Sequence, residues 1–382
     1  MPEENHLRRG ATVTPTRQRR PRVLHLGYED PAKPGAGGGS VRTHEINQRL
    51  ADEFDIVVAC ARFDRAAPYS CDGVRYTHIG AGRRYTPAIM TCFAAQPAAV
   101  ARWRPDLIVE DFGAPLSSWG LPGLTRRPVV RVVQWLFAHE KARQYHLPFG
   151  AVETVGVRSH RTHIAVSDDL GAQLARRSPG AQVHVVPNGL PAVAFTTAAA
   201  PTRQHIAYLG RLEEAQKGVS MLVHAYAQAV AAGIEQDLLI ARTGPDESTL
   251  RRLVHQRGLH DRVRFVGLVP LAERFAWLAT AQFVVMPSRY ETFGMVAAES
   301  FALGTPVVAF DIDCLRSLVT NATGRRVPAF DVAALGRAII ELANTPRLRE
   351  DLSQGARASV RHLTWDTAAT DQARIYRQAL RR

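Results

Sequence analysis

One local pattern occurs twice in this chain: a short apolar strand that breaks into a glycine turn and then a helix. It opens at Arg22-Val-Leu-His-Leu26 with Gly27, and again at Ile206-Ala-Tyr-Leu209 with Gly210. Short apolar strands that alternate with helix-period stretches favour parallel pairing, because a parallel pair needs a crossover long enough to hold a helix. In the first half Ser40 is placed to cap a helix with Val41, Ile46 and Leu50 on one side. Asp55–Ala59, Asp106–Val109, Val129–Val133, Ile164–Val166 and Val183–Val186 supply further strands. Pro187-Asn-Gly189 makes a turn, and Pro191 to Arg203 lacks both periodicities and reads as a linker. The second half predicts strands at Ile206–Leu209, Leu238–Ile240, Val263–Val266, Phe283–Met286 and Pro306–Phe310. Its helices fall over Val219–Val230, Ser248–Gln256, Leu271–Thr280 and Gly294–Leu303.

The reading is therefore α/β, with two Rossmann-like, doubly wound domains facing across a cleft. Residues 22–190 form the first and 204–362 the second. A basic tail covers 1–21, the linker 191–203, and a closing helix 363–382. At roughly 100–200 residues per domain, 382 residues suffice for two full cores.

Composition narrows the function classes. No run of about 18 residues is free of charge and helix breakers, so no membrane span is expected. The N-terminus lacks an apolar segment of secretory type, so a cytoplasmic location follows, with peripheral membrane contact left open. Cys60, Cys71, Cys92 and Cys314 are scattered, which argues for buried thiols and against a zinc cluster or disulfide framework. The close pair His160 and His163 lacks a nearby ligand partner. The net charge of +13 suits phosphorylated substrates or an anionic surface. Its arginines are dispersed rather than gathered in an aromatic-studded stripe, against nucleic acid as a partner.

In open α/β sheets, ligands collect at the carboxyl ends of strands. Arg211 and Lys217 follow the first strand of the second half, where two cations can grip a diphosphate and neutralise it as a leaving group. Glu291-Thr-Phe-Gly-Met-Val-Ala-Ala-Glu299 follows the strand ending at Met286. A helix N-terminus attracts phosphate, so the amides of Phe293, Gly294 and Met295 could seat the diphosphate, with sugar hydroxyls on Glu291 and ribose hydroxyls on Glu299. Glu299 lies among alanines and Phe301, where an acid needs a partner. The run Gly35 to Gly39, with Gly37, Gly38 and Gly39, offers either a backbone surface close to substrate or a plain loop. Glu110 and Asp111, read as lying just beyond a strand end, could bind a polyhydroxylated or cationic acceptor, or could simply belong to a capped turn.

Several short segments occur in a telling order: Ala165-Val-Ser167, Val186-Pro-Asn-Gly189, Gly210-Arg211 with Lys217-Gly218, Phe265-Val-Gly267, Met286-Pro-Ser288, the paired glutamates, and Ala302-Leu-Gly-Thr-Pro-Val-Val308. Together they resemble the retaining GT-B glycosyltransferases of glycosyltransferase family 4, the glycosyl transferases group 1, over about residues 22–380. The resemblance implies a nucleotide-sugar donor held mainly by the second domain, an acceptor held mainly by the first, and retention without an essential metal or other cofactor. Arg211 and Lys217 would steady the diphosphate, Glu291 the donor sugar and Glu299 the ribose, while Gly267, Leu268 and Val269 would meet the base. Relatives often carry a histidine just after the strand matching Val129–Val133. Here Gln134 stands there, and either Gln134 or His139 could take its place. The acceptor is a small metabolite such as a cyclitol, or a lipid or polysaccharide. The rival reading is a non-catalytic GT-B scaffold or carbohydrate-binding subunit.

Overall fold

Runs of branched and aliphatic residues build two parallel sheets in the computed structural model, which describes residues 19–27, 29–34, 36–82, 85–112, 121–136, 149–198, 200 and 203–382. The first sheet contains β1 (Arg22–Leu26), β2 (Asp55–Ala61), β3 (Tyr69–Cys71), β4 (Val74–Ile79), β5 (Leu107–Phe112), β6 (Val129–Val133), β7 (Thr162–Ala165) and β8 (Gln182–Val185). Its order is β3-β4-β2-β1-β5-β6-β7-β8, and only the β3–β4 pair is antiparallel. The second contains β9 (His205–Leu209), β10 (Leu238–Ala241), β11 (Val263–Gly267), β12 (Ala281–Met286), β13 (Val307–Phe310) and β14 (Gly324–Val327). Its order, β11-β10-β9-β12-β13-β14, is parallel throughout. Counted within its own half, that order is 3-2-1-4-5-6, the Rossmann arrangement, and the direction of winding reverses between β9 and β12.

Helices cover the second sheet, so its central strands are nearly all apolar: Ile206, Ile240, Phe283, Val284, Val285, Val307 and Val308 have no exposed surface, while the edge strands β11 and β14 carry Arg264, Arg325 and Arg326. The closing helix Trp365–Leu380, capped by Thr364 through the amide of Thr367, packs on the first domain, where Tyr376 meets Phe54 edge-on at 5.8 Å. The two chain passes between domains run side by side, with the Leu190 amide donating to Leu363 O at 2.8 Å. Gly189 is needed there, because a Cβ would come within 2.3 Å of the Trp365 nitrogen. Arg42, fully buried, ties the crossing together: its guanidinium donates to Asn188 Oδ1 and Gln372 Oε1, each at 3.1 Å.

Several expectations change. Ser40 does not cap its helix, which runs Gly38–Leu50 from an N-cap at Gly37. The Ser40 hydroxyl instead donates back to Gly37 O at 2.8 Å. The linker holds a one-turn helix, Ala192–Thr196. Cys60, Cys92 and Cys314 are buried, but Cys71 is exposed at the end of β3. No described helix is long and apolar enough to cross a membrane.

Candidate active site

The switch point between β9 and β12 brings two loops together. After β9 the chain passes Gly210 and Arg211 and makes a single helical turn, Glu214–Lys217. After β12 it runs from Pro287 to the helix Met295–Ala302. The Arg289 amide donates to Gln216 O at 2.9 Å and joins the loops. Gly218 makes the approach feasible: its φ is +58°, and a Cβ there would sit 2.6 Å from the Pro287 carbonyl oxygen. Lys217 Nζ consequently reaches Glu291 Oε1 at 2.5 Å, and the Ser288 hydroxyl donates to the same oxygen at 2.8 Å. Both partners are largely buried. Arg211, by contrast, has 66% of its side chain exposed and pairs only loosely with Glu213, at 3.4 Å.

Beyond Glu291 the chain turns through Phe293, which is buried, and Gly294, whose φ of +86° forms the N-cap of the helix beginning at Met295. A Cβ at Gly294 would lie 2.5 Å from Leu315 Cδ2. The first amides of this helix have no intrahelical acceptor and carry the positive end of its dipole. Glu299, one turn further on, is 2% exposed. Arg274 Nη2 donates to its Oε1 at 2.7 Å, while Oε2 is buried and takes no hydrogen bond from the protein. Burial pushes the Glu299 carboxyl up to about 7, against the opposing pull of Arg274 and Arg242.

Arg274 and Arg242 belong to the candidate site through Glu299, and the sequence did not single them out. Arg242 follows β10 directly in the left-handed region, φ +83°, and its amide donates to Gly267 O at 2.6 Å. Its place at a strand end was the available signal. Arg274 had none, because it lies within the helix Leu271–Ala279 and only the packing of that helix brings it to Glu299. Gly267 itself has φ +73°, Leu268 is exposed, and Val269 packs partly against the core.

A cavity of about 430 Å³ separates the two sets of strand ends. Gln134, Trp135 and Asp169 line it from the first domain, and Arg289, Glu291 and Asp313 from the second. Gln134 Nε2 approaches Gly39 O at 3.5 Å. Gly38 and Gly39 are the first residues of their helix rather than a loop, and the Gly37 amide is taken by Glu29 Oε2 at 2.7 Å. Gly35 and His139 lie outside the described residues.

Glu110 and Asp111 require correction. They are not in a turn beyond a strand but inside β5, both buried. Glu110 is held by His160 Nε2 at 2.8 Å and Arg131 Nη2 at 3.5 Å, neither partner having exposed side-chain surface. Burial lowers Arg131 to about 10 and also lowers His160. Asp111 accepts from the Thr43 hydroxyl at 2.8 Å, and His25 Nε2 lies 3.1 Å from its other oxygen. Carboxylates so enclosed are taken up by partners inside the first domain and present no surface to an acceptor.

Two facing Rossmann-like domains, with a cation–carboxylate pair at the switch point of the second, define the GT-B class of glycosyltransferase architecture. Residues 203–345 match the family model described as glycosyl transferases group 1, and residues 36–192 match that of glycosyltransferase family 4. The chain is 30% identical over 299 residues to the glycogen synthase of Mycobacterium tuberculosis (strain H37Rv), covering 73% of this chain and 70% of that protein. It is 34% identical over 220 residues to the phosphatidyl-myo-inositol mannosyltransferase of Mycobacterium leprae, covering 56% and 58%. Among solved structures, sucrose-phosphate synthase from Thermosynechococcus elongatus superposes with a TM-score of 0.82 at 25% identity, over 94% of this chain and 99% of that one. Anabaena Alr3699/HepE, solved with UDP and glucose, gives 0.72 at 16% identity, over 94% and 99%. The chain belongs to glycosyltransferase family 4, the glycosyl transferases group 1. It spans about half the length of several curated relatives that it matches.

Proposed function

We propose that this chain transfers a sugar, with retention of anomeric configuration, from a nucleoside-diphosphate sugar to a hydroxyl of a polyhydroxylated acceptor. The observation that carries the reading is the Lys217–Glu291 pair at the β9–β12 switch point, beside the dipole-bearing start of the helix Met295–Ala302. Lys217 has three donors, so it can hold Glu291 and still face a phosphate. Arg211, largely exposed in the same loop, supplies the second cation. As the bond to the anomeric carbon breaks, negative charge grows on the departing diphosphate. Fixed donors aimed at that charge stabilise the transition state more than the ground state. The diphosphate charge is thus met by two side chains and the helix amides, and no divalent ion is invoked for the transfer step.

Glu291, paired with Lys217, accepts hydrogen bonds from donor-sugar hydroxyls. The unpartnered Oε2 of Glu299 suits a ribose hydroxyl, since a buried acceptor gains most when a donor arrives. The Gly267–Val269 loop, with Leu268 exposed, offers an apolar edge to the base. The acceptor enters from the first domain along Gln134 and Trp135. The name of the Mycobacterium leprae relative points to an inositol-containing acceptor, and a hydroxylated ring fits a cleft walled by Asp169, Asp313 and Arg289. A net charge of +13 suits a phosphorylated cyclitol, free or as a lipid headgroup.

The test is a matrix of nucleoside-diphosphate sugars against inositol, inositol phosphate and phosphatidylinositol vesicles, read by release of nucleoside diphosphate, with the product anomer assigned by NMR. Acceptor-dependent release with the donor's configuration retained supports the reading. Inversion refutes the proposed stereochemistry. Donor binding without release under any acceptor favours a carbohydrate-binding scaffold.

A further inference from the structure

At the outer edge of the first sheet, away from the cleft, the hairpin of β3 and β4 packs against the helix Gly38–Leu50. The two-residue turn Asp72-Gly73 has φ of +50° and +76°, the left-handed pair that matches strand twist. Gly73 lies so close to the end of that helix that a Cβ would come within 2.8 Å of Ala51 Cβ. This contact sets Cys71 and Asp72 beneath His44. The Cys71 thiol donates to Asp72 Oδ2 at 3.1 Å, and His44 Nε2 lies 3.1 Å from the same oxygen. The three ligand atoms all lie within 4.8 Å of one another, the one such group of histidine, cysteine and acidic side chains among the described residues.

We propose that His44, Cys71 and Asp72 form a zinc site, with a fourth position open to water. Two protons, one on nitrogen and one on sulfur, converge on a single carboxylate oxygen, and one divalent cation seated between the three groups replaces both. Imidazole nitrogen, thiolate sulfur and carboxylate oxygen together suit zinc better than a hard, oxygen-seeking cation. The imidazole is already oriented: His44 Nδ1 sits 2.8 Å from the hydroxyl of Tyr76, which is buried and stacked on Tyr69 with centroids 4.7 Å apart. That outer contact leaves Nε2 as the nitrogen for the metal. On binding, the Cys71 proton passes to solvent, and the proton given up by Nε2 is carried on Nδ1, where the neutral imidazole donates it to the Tyr76 oxygen.

β4 runs parallel to β2, and its first residues lie at the end of the sheet opposite the strand ends that open on the cleft. The cation would therefore staple an edge hairpin to a helix and touch no group in the transfer reaction. Sequence spacing concealed the site, because 28 positions separate His44 from Asp72.

The full chain, stripped with chelator and kept under a non-thiol reductant, is titrated with cobalt(II). The expected spectrum combines tetrahedral visible bands with a thiolate-to-cobalt band in the near ultraviolet, which zinc then bleaches at one equivalent. Zinc should also raise the thermal midpoint. Cys71→Ser should abolish the thiolate band, and His44→Gln should weaken zinc binding about tenfold or more, both with transfer activity unchanged. A cobalt spectrum lacking the thiolate band overturns the proposal. So does a band that survives Cys71→Ser, or a zinc-induced thermal shift that persists undiminished in His44→Gln.

Discussion

Lys217 and Glu291 meet at 2.5 Å although 74 positions separate them, because β9 and β12 are neighbours in the sheet while their helices depart to opposite sides. The cation and the carboxylate are thereby delivered to one point without any local motif joining them. In the proposed reaction, replacing Lys217 or Arg211 by Ala removes charge that matters most as the diphosphate departs. Each substitution should cost about 2–4 kcal/mol in kcat/KM with the far-ultraviolet circular dichroism unchanged. Wild-type turnover in both variants would exclude these residues from the reaction.

Gly218 offers a test that leaves every charged group in place. A methyl group there meets both the Pro287 carbonyl and Met221 Cε, in a backbone conformation that L-residues adopt at a cost. Gly218→Ala should lower unfolding free energy by about 1–3 kcal/mol and lower kcat as well, since Lys217 is displaced. Chemical denaturation and steady-state kinetics measure the two effects separately.

The Glu299 carboxyl, raised from 4.5 to about 7 by burial, makes stability depend on pH. The folded protein binds this proton more tightly than the unfolded chain. Its contribution is therefore fully present below pH 4.5 and is lost as pH rises through 7, a change of the order of 3 kcal/mol in total. Glu299→Gln should flatten that part of the stability profile of the ligand-free protein. An identical pH dependence in the variant would mean that Glu299 is ionised at its ordinary pH.

Chelator treatment should leave kcat unchanged if, as proposed, Arg211, Lys217 and the helix amides carry the diphosphate charge. Complete inactivation that is restored by a divalent ion would place a metal in the transfer step.

Much of this fold could be read from the chain because its parallel strands are buried on both faces and so appear as unbroken apolar runs. β5 was harder: Glu110 and Asp111 interrupt its apolar run, and the partners that permit their burial, Arg131 and His160 for Glu110 and Thr43 and His25 for Asp111, come from elsewhere in the sequence. The β3–β4 hairpin did carry a local signal, Asp72-Gly73, with the strands on either side too short to stand out. Gly37 to Gly39 read as a loop because glycine is a poor helix former, yet tertiary packing draws Gly38 and Gly39 into a helix. In the candidate site, Arg211, Lys217, Glu291 and Glu299 were legible as charged residues just after strands or in a nearly apolar helix. Arg274 was not, since its pairing with Glu299 depends wholly on how two helices pack.

The central claim is that the donor's nucleotide lies against Glu299 while its reacting sugar lies against Glu291. Calorimetric titration of wild type, Glu299→Ala, Glu299→Gln and Glu291→Ala with a panel of nucleoside diphosphates tests it directly, because these ligands lack the sugar. For the nucleotide that binds wild type, the account predicts that Glu299→Ala weakens affinity by about 1–3 kcal/mol, that Glu299→Gln is milder because its amide keeps one acceptor oxygen, and that Glu291→Ala binds nearly as wild type. Unchanged affinity in Glu299→Ala, together with a thermal midpoint several degrees lower, would contradict the account: Glu299 would then be a packing residue and the nucleotide site would lie elsewhere.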